Sequence, residues 1–356
     1  MREENRTIVP ILIVNYNGRP YLEDCLRSLS AAGNDRIRPV VYIVDNASED
    51  DSVAYLGAHW PEVRIVRSHS NLGYAGGNVL GWSIIRGEWP DARYIFLLNQ
   101  DTLVTEHFLE PLVDYLDRHP SAGAVQPKIM LFPETSVVNS LGNVIHFLGL
   151  GYSSGSGQRE TVLGDGPRRI NYASGAAVLL RIEAIDAVGL FSPFMFMYLE
   201  DLDLGWRLSL KGLWSMLVPQ SIVYHKYEFK RGMRQYYYFE RNRLWIVLKN
   251  YRLRTLLLIC PALVILEFAQ LVRAAVLGIL MHKLRGYFYF FNLGHIRQLL
   301  VERSMVQSMR TVSDRDIISS FSGRIDFQPL NGFLVRKIAN PFFNAYLKMV
   351  QPLIRW

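Results

Sequence analysis

Short apolar runs that each stop on polar residues constrain this chain more than any other feature. Residues 8–15 (IVPILIVN), 40–45 (VVYIVD), 63–67 (VRIVR) and 94–99 (YIFLLN) are nearly continuous in apolar character. Such runs suit strands buried on both faces, as in parallel sheets. Leu22, Cys25, Leu26 and Leu29 form a helical stripe between the first two runs, and residues 78–89 read as another helix. Strand and helix in repetition imply right-handed crossovers and an α/β fold with a mostly parallel central sheet flanked by helices. Ligands of such sheets sit off the carboxyl ends of the strands. That is where Asn15-Tyr16-Asn17-Gly18, Asp45-Asn46 and Asn99-Gln100-Asp101 fall.

Each polar cluster has a structural and a functional reading. After Asp45, Ser48 or Asp50 suits the N-cap of a helix starting near Ser52; Asp45 itself suits hydrogen bonding to a nucleoside base or ribose. Residues 71–78 (NLGYAGGN) read as a glycine-rich turn opening a helix. Glycines let backbone N–H groups approach an anion at a helix N-terminus, or they serve a plain strand-to-helix turn. Asp101 is either a cap for the segment from Thr102 or a strand-end carboxylate for Mg²⁺ or Mn²⁺, neutralising a diphosphate. Glu200, Asp201 and Asp203 follow the apolar stretch 191–199 (FSPFMFMYL) and open a helical pattern. They suit a solvated first turn at the positive end of the helix dipole. They equally suit general-base work, because burial and like charge raise a carboxyl pKa. His225 ends the short run 221–224 (SIVY), as a structural hydrogen bonder or as a metal or diphosphate contact.

In their order and spacing, VNYNG, VDNASEDDS, NLGYAGGN, LLNQDT, ASGAAVLLRIEAIDAVGLF, YLEDLDLGWRL and IVYHK resemble the family 2 glycosyltransferases of GT-A fold, in particular their rhamnosyltransferase-like bacterial polysaccharide-assembly branch. The resemblance implies a nucleotide-sugar-binding catalytic domain over residues 1–245. It further implies an inverting, metal-dependent transfer from a nucleotide-diphosphate sugar to a hydroxyl of a lipid-linked glycan, with dTDP-L-rhamnose ahead of UDP- and GDP-sugars. By position, Asn15, Asn17 and Asp45 match contacts to the base or ribose, and Asn78 with its neighbouring glycines matches the donor cradle. Asn99, Gln100 and Asp101 match the DXD motif, with Asp101 as ligand of Mg²⁺ or Mn²⁺ and His225 completing the metal shell. Arg241, in YYYFERNRLW, matches a motif near the diphosphate. Asp201 matches the base that deprotonates the acceptor, supported by Glu200. Asn99 departs from the motif by replacing its first acid, which keeps open a metal-impaired scaffold of a polysaccharide-assembly complex. A nucleotidyltransferase would carry a basic glycine-rich loop after the first strand, which NYNGRP is not.

Charge divides the chain. Residues 226–356 carry 21 Lys and Arg against 7 Asp and Glu, whereas residues 1–225 carry 18 against 25. The basic part is interleaved with long apolar runs such as 256–266 (LLLICPALVIL) and an aromatic cluster at 287–291 (YFYFF), which suits a membrane surface and disfavours nucleic acid. Glu267 and Arg273 interrupt the apolar run and Pro261 would kink a spanning helix, so residues 246–356 read as a basic, apolar helical membrane-associating region. A single spanning helix and a buried helix closing the catalytic domain are the alternatives. The N-terminal residues MREENRTIVP lack an apolar leader, so the expected location is the cytoplasmic face of the bacterial inner membrane, peripheral or monotopic. Cys25 and Cys260, both in apolar contexts, are expected as buried thiols.

Overall fold

The computed structural model describes residues 6–160, 166–227, 233–326 and 332–356. In chain order the first half runs β1 (Thr7–Asn15), α1 (Arg19–Ser30), β2 (Ile37–Asp45), α2 (Ser52–His59), β3 (Arg64–Arg67), α3 (Gly73–Glu88), β4 (Tyr94–Asn99), β5 (Thr102–Val104), α4 (Leu109–Arg118) and β6 (Ala122–Leu131). A strand-rich excursion follows: β7 (Val138–Ser140), β8 (Asn143–Ile145), β9 (Gly151–Ser153) and β10 (Arg168–Ile170). Then come β11 (Ala177–Arg181), α5 (Ile182–Val188), α6 (Glu200–Leu210) and β12 (Trp214–His225). The rest is helical: α7 (Met233–Asn250), α8 (Leu253–Val276), α9 (Leu280–Phe288), α10 (Leu293–Met309), α11 (Asp314–Ser319) and α12 (Asn340–Val350).

The main sheet has the order β10-β12-β6-β11-β4-β1-β2-β3, with β5 on β12 and β7 on β6. The expected α/β architecture is present, and its sheet is mixed. The half β4-β1-β2-β3 is wholly parallel, whereas β11 runs antiparallel between β4 and β6. A parallel entry needs a long crossover, and β11 follows the excursion without a helix. β1 has β4 on one side and β2 on the other, which makes its carboxyl end a topological switch point.

Both faces of β1 and β4 are buried, as their unbroken apolar runs require, and β2 is buried toward its carboxyl end, whereas the edge strand β3 has no buried residue. Val9, Ile11 and Ile13 join α1 and α4 in one core; Leu12 joins α3, α6 and the C-terminal helices in the other. The glycines of residues 71–78 lie mostly inside α3, which begins at Gly73 rather than at Asn78. A β-carbon on Gly77 would meet Val14 at 2.7 Å, and one on Gly81 would meet Leu12 at 2.3 Å. Gly77 and Gly81 therefore let α3 lie close on β1.

The boundary expected at residue 245/246 falls within α7. Trp245, Ile246, Val247 and Tyr251 share one core with Ile259, Ala262, Leu266, Ile318 and Phe343, so the C-terminal helices and the sheet are packed into each other. Cys25 is buried as expected, but Cys260 is exposed on α8. Three residues after exposed Leu257 and four before exposed Val264, it falls on the outer side of the helix.

Candidate active site

The carboxyl rim aligns three of the expected strand ends. Register pairs Asn15 with Asp45 across β1 and β2, and Val14 with Asn99 across β1 and β4. Asn15 is fully buried and donates from Nδ2 to Asp45 Oδ1 at 3.1 Å and to Ser48 Oγ at 3.0 Å. Ser48 Oγ also receives the Asn17 N–H at 3.0 Å, and Asn17 Oδ1 receives the Glu49 N–H at 2.8 Å. Asn17 (φ 50°) and Ala47 (φ 60°) are both left-handed, a strain that persists where surrounding bonds over-determine a loop. Asp50 Oδ1 receives the Ser52 N–H at 3.1 Å in the turn before α2, but the N-cap position is Asp51, without a side-chain cap bond, so neither Ser48 nor Asp50 caps the helix as expected. Asp45 is left to organise the rim. Gln100 folds onto the same loop and accepts the Tyr16 N–H at 3.0 Å. A β-carbon on Gly18 would collide with both Asn15 Oδ1 and Gln100 Oε1, so these side chains flank one close approach.

Asn78 is buried within α3. Its Nδ2 donates to Tyr74 O at 2.9 Å, and its Oδ1 has no partner among the described residues. A buried acceptor without a donor is costly.

Beyond β4 the rim opens into a cavity of about 1090 Å³ whose walls include Asn99, Glu200, Asp201 and His225. Asp101 borders it through His225: Oδ1 lies 3.2 Å from Nε2, while His225 Nδ1 faces Asn139 Oδ1 at 3.0 Å. Asp101 precedes the strand β5, not a helix, so the capping reading of this carboxylate drops out. With Nδ1 engaged by an amide oxygen, Nε2 of a neutral His225 keeps its lone pair. Two atoms 3.2 Å apart suit adjacent positions on an octahedral ion with bonds of about 2.1 Å. One oxygen and one imidazole nitrogen form a donor set that fits Mn²⁺ or Mg²⁺ bound jointly with substrate phosphates. No larger group of His, Cys, Asp and Glu capable of holding an ion occurs among the described residues.

The acids at the start of α6 differ sharply. Asp201 accepts the Gly175 N–H at 3.1 Å on Oδ2 and the Leu202 N–H at 2.8 Å on Oδ1. Burial pushes its carboxyl up to about 6, outweighing those hydrogen bonds. Glu200 is buried with Oε2 unpartnered among the described residues. Burial, and then the neighbouring Asp201 charge, push it well above the usual carboxylate range. Asp203 turns into the core, where Oδ2 meets Arg207 Nε and Lys249 Nζ, each at 2.8 Å. Burial alone would raise it, but the Lys249 and Arg207 charges win and hold it at about 2.

The segment leading into these acids is strained and firmly held. Phe196, Tyr198 and Leu199 have φ of 62°, 70° and 65°. Asn242 Nδ2 donates to Met195 O (3.0 Å), Met197 O (3.0 Å) and Tyr198 O (2.8 Å). Arg241 does not line the cavity. Its guanidinium donates to Phe194 O at 2.7 Å and Met195 O at 3.1 Å and lies over the rings of Tyr237, Tyr238 and Tyr289. The structure thus gives Arg241 the backbone of this loop, where the resemblance implied a diphosphate. Asn46, marked by the sequence only as part of a strand-end cluster, ties the end of β2 to α3 through Gly73 O (3.0 Å) and the Leu72 N–H (2.9 Å). Sequence reasoning passed over Gln126, whose Oε1 receives the Ser174 N–H at 2.7 Å, and Asn139. Neither of the last two sits in a strand-end motif, so no local signal marks them.

A switch-point rim with a neighbouring acidic cavity, on this sheet, defines the GT-A class of glycosyltransferases. Two solved structures share the fold: GalNAc-T7 with UDP, GalNAc and Mn²⁺ (TM-score 0.55, 14% identity, 70% of this chain and 49% of that longer one) and S. aureus TarS 1–349 in complex with UDP (TM-score 0.51, 10% identity, 97% and 91%). The model of glycosyl transferase family 2 matches residues 11–186. An N-acetylglucosaminyl-diphospho-decaprenol L-rhamnosyltransferase of Mycobacterium tuberculosis is 32% identical over 238 residues, covering 61% of this chain and 76% of its own length. The chain belongs to glycosyl transferase family 2 and is a glycosyltransferase.

Proposed function

We propose that this glycosyltransferase moves a sugar, with dTDP-L-rhamnose the first candidate donor, to a hydroxyl of a lipid-linked glycan at the cytoplasmic face of a membrane, with inversion at the anomeric carbon. The observation that carries the catalytic part is Asp201: a half-buried carboxylate, held by two N–H groups, on the wall of the cavity that also meets Asn99 and His225. The name of the mycobacterial relative supports the donor and the diphospholipid acceptor.

In this reading Asn15, Asn17 and Asp45 bind the nucleoside end, and Asn99 with Gln100 lines the path of the donor. Asp101 and His225 hold Mg²⁺ or Mn²⁺, which when bound neutralises charge on the departing diphosphate. Asp201 takes the proton of the acceptor hydroxyl as that oxygen forms its bond to the anomeric carbon. The bond from that carbon to the diphosphate oxygen breaks on the opposite face, so no covalent enzyme intermediate forms. The Gly175 and Leu202 N–H groups fix the Asp201 carboxylate in orientation, and Glu200 beside it, raised by burial and the Asp201 charge, disfavours a second negative charge. Asn78 and Arg241 act indirectly, through α3 and the loop before α6.

The test offers dTDP-, UDP- and GDP-sugars with Mn²⁺ to the full chain, with a short-chain lipid-diphosphate GlcNAc as acceptor. Acceptor-dependent release of nucleoside diphosphate and an inverted linkage are expected. A retained linkage would remove Asp201 as base. Release from no donor would leave the metal-impaired scaffold, the reading that Asn99 in place of an acid favours.

A further inference from the structure

Among the described residues, 21 of the 24 exposed large hydrophobic side chains lie between Leu253 and Leu353. On α8 they form one stripe. Leu257, Val264, Phe268 and Val272 point out, while Thr255, Ile259, Ala262 and Leu266 face the protein. The 24 residues of α8, with mean hydropathy 2.2, are long and apolar enough to cross a bilayer. Its inner side speaks against crossing. Glu267 accepts from Arg243 of α7 and from Lys283 of α9, the latter at 2.7 Å, and Tyr287 donates to it at 2.5 Å. Gln270 joins the same cluster through Glu240 (3.1 Å) and Lys283 (2.7 Å). Arg243 and Lys283 are fully buried. A spanning α8 would carry this ion cluster into hydrocarbon or break it, stranding buried cations at a cost of several kcal/mol.

The charge around the apolar stripe is one-sided. From residue 253 onward ten Lys and Arg are exposed, against two exposed acids, Asp316 and Asp326. The other acids there, Glu267, Glu302 and Asp314, are ion-paired inward. An apolar stripe on a segment whose exposed charge is mostly cationic, with Asp326 pairing only Arg324, fits an anionic lipid surface. Tyr346 of α12 donates to Leu258 O at 2.8 Å, so α12, with exposed Phe342 and Met349, flanks the same helix.

We propose that α8 lies flat in the headgroup–acyl boundary of an anionic bilayer, outer stripe down and ion cluster up, and does not cross it. The inference rests on the proposed function only for the membrane residence of the acceptor. Lying flat, α8 keeps every outer position at one depth, about 5–10 Å below the surface; a span would put Val264 deepest.

The experiment uses the full chain with C260S, leaving Cys25, whose thiol is fully buried and pushed up to about 12. L257C, V264C, F268C and V272C each receive an environment-sensitive fluorophore and meet phosphatidylcholine vesicles with or without phosphatidylglycerol. Lipids spin-labelled at acyl carbon 5 or 12 report depth. A blue shift that needs the anionic lipid, with equal depth at all four positions and stronger quenching from carbon 5, supports the proposal. Quenching from carbon 12 that peaks at position 264 means a span and overturns it. So does the absence of any shift, most directly if sedimentation shows the stripe buried in a dimer. Release of nucleoside diphosphate on the same samples keeps the two readings apart. A flat profile without transfer supports this inference and sinks the catalytic one; transfer without lipid contact does the reverse.

Discussion

Asp201 and Asp203 stand two residues apart on α6 and have opposite fates. Asp203 faces Arg207, Lys249 and Asn250, which hold it ionised in the core. Its stabilising contribution is present above the ordinary carboxyl value of 3.8 and is lost only as pH falls through about 2. Asp203→Asn would strand two buried cations and should cost about 3–5 kcal/mol in chemical denaturation. Asp201 has no cation partner among the described residues and is raised instead. Because its folded value lies near 6, the base form populates as pH rises through that point, so kcat/KM should climb across about pH 5–7 before levelling. Asp201→Asn should lower kcat by about 10²- to 10⁴-fold and abolish that rise, while sugar-nucleotide binding survives in calorimetry. Unchanged turnover would take the base role from this residue. Folding stability should respond in the opposite sense at the two sites, since the raised Asp201 loses stability as pH rises from 3.8 toward 6.

At the scale of elements, the proposed base depends on the loop that leads into α6. Residues 193–199 include three left-handed non-glycine residues, and α7 holds them through Asn242 and Arg241. Phe196 stacks on Tyr238, and Tyr289, beyond α9, covers Arg241, so successive layers brace the entry to α6. Asn242→Ala removes three carbonyl contacts at once. A carboxylate displaced by a fraction of an ångström loses alignment steeply, so kcat should fall by about 10- to 100-fold with donor KM nearly unchanged. A rise in donor KM of the same size would mean that the loop serves the nucleotide instead. The strand ends bearing Asn15, Asp45 and Asn99 were legible from periodicity, because a buried parallel strand shows as an apolar run with a polar stop. The true start of α3 was not. Glycines in a helix look like a turn until a close neighbour such as Leu12 explains them.

For the whole molecule, the sheet and the C-terminal helices cannot be separated by cutting between them. Deleting residues 246–356 would sever α7 and remove Tyr251, Ile259, Ala262, Leu266 and Phe343 from a shared core. The truncated chain should therefore be insoluble or lack a cooperative thermal transition. A soluble, cooperatively melting fragment in differential scanning calorimetry would instead make residues 1–245 a domain in its own right.

Order and composition were enough to predict a sheet whose polar strand ends form one rim, since unbroken apolar runs can be buried only between two helical layers. They also sufficed to mark an apolar, cationic tail. Which acid ionises, and what Arg241 binds, depended on groups that folding brings from far along the chain: Lys249 reaches Asp203 from 46 positions away. The proposed lie of α8 rests on tertiary contact in the same way. Pro261, Glu267 and Arg273 argue against a span already in the sequence. The ion cluster that Glu267 joins adds charges buried between packed helices, which hydrocarbon does not accommodate.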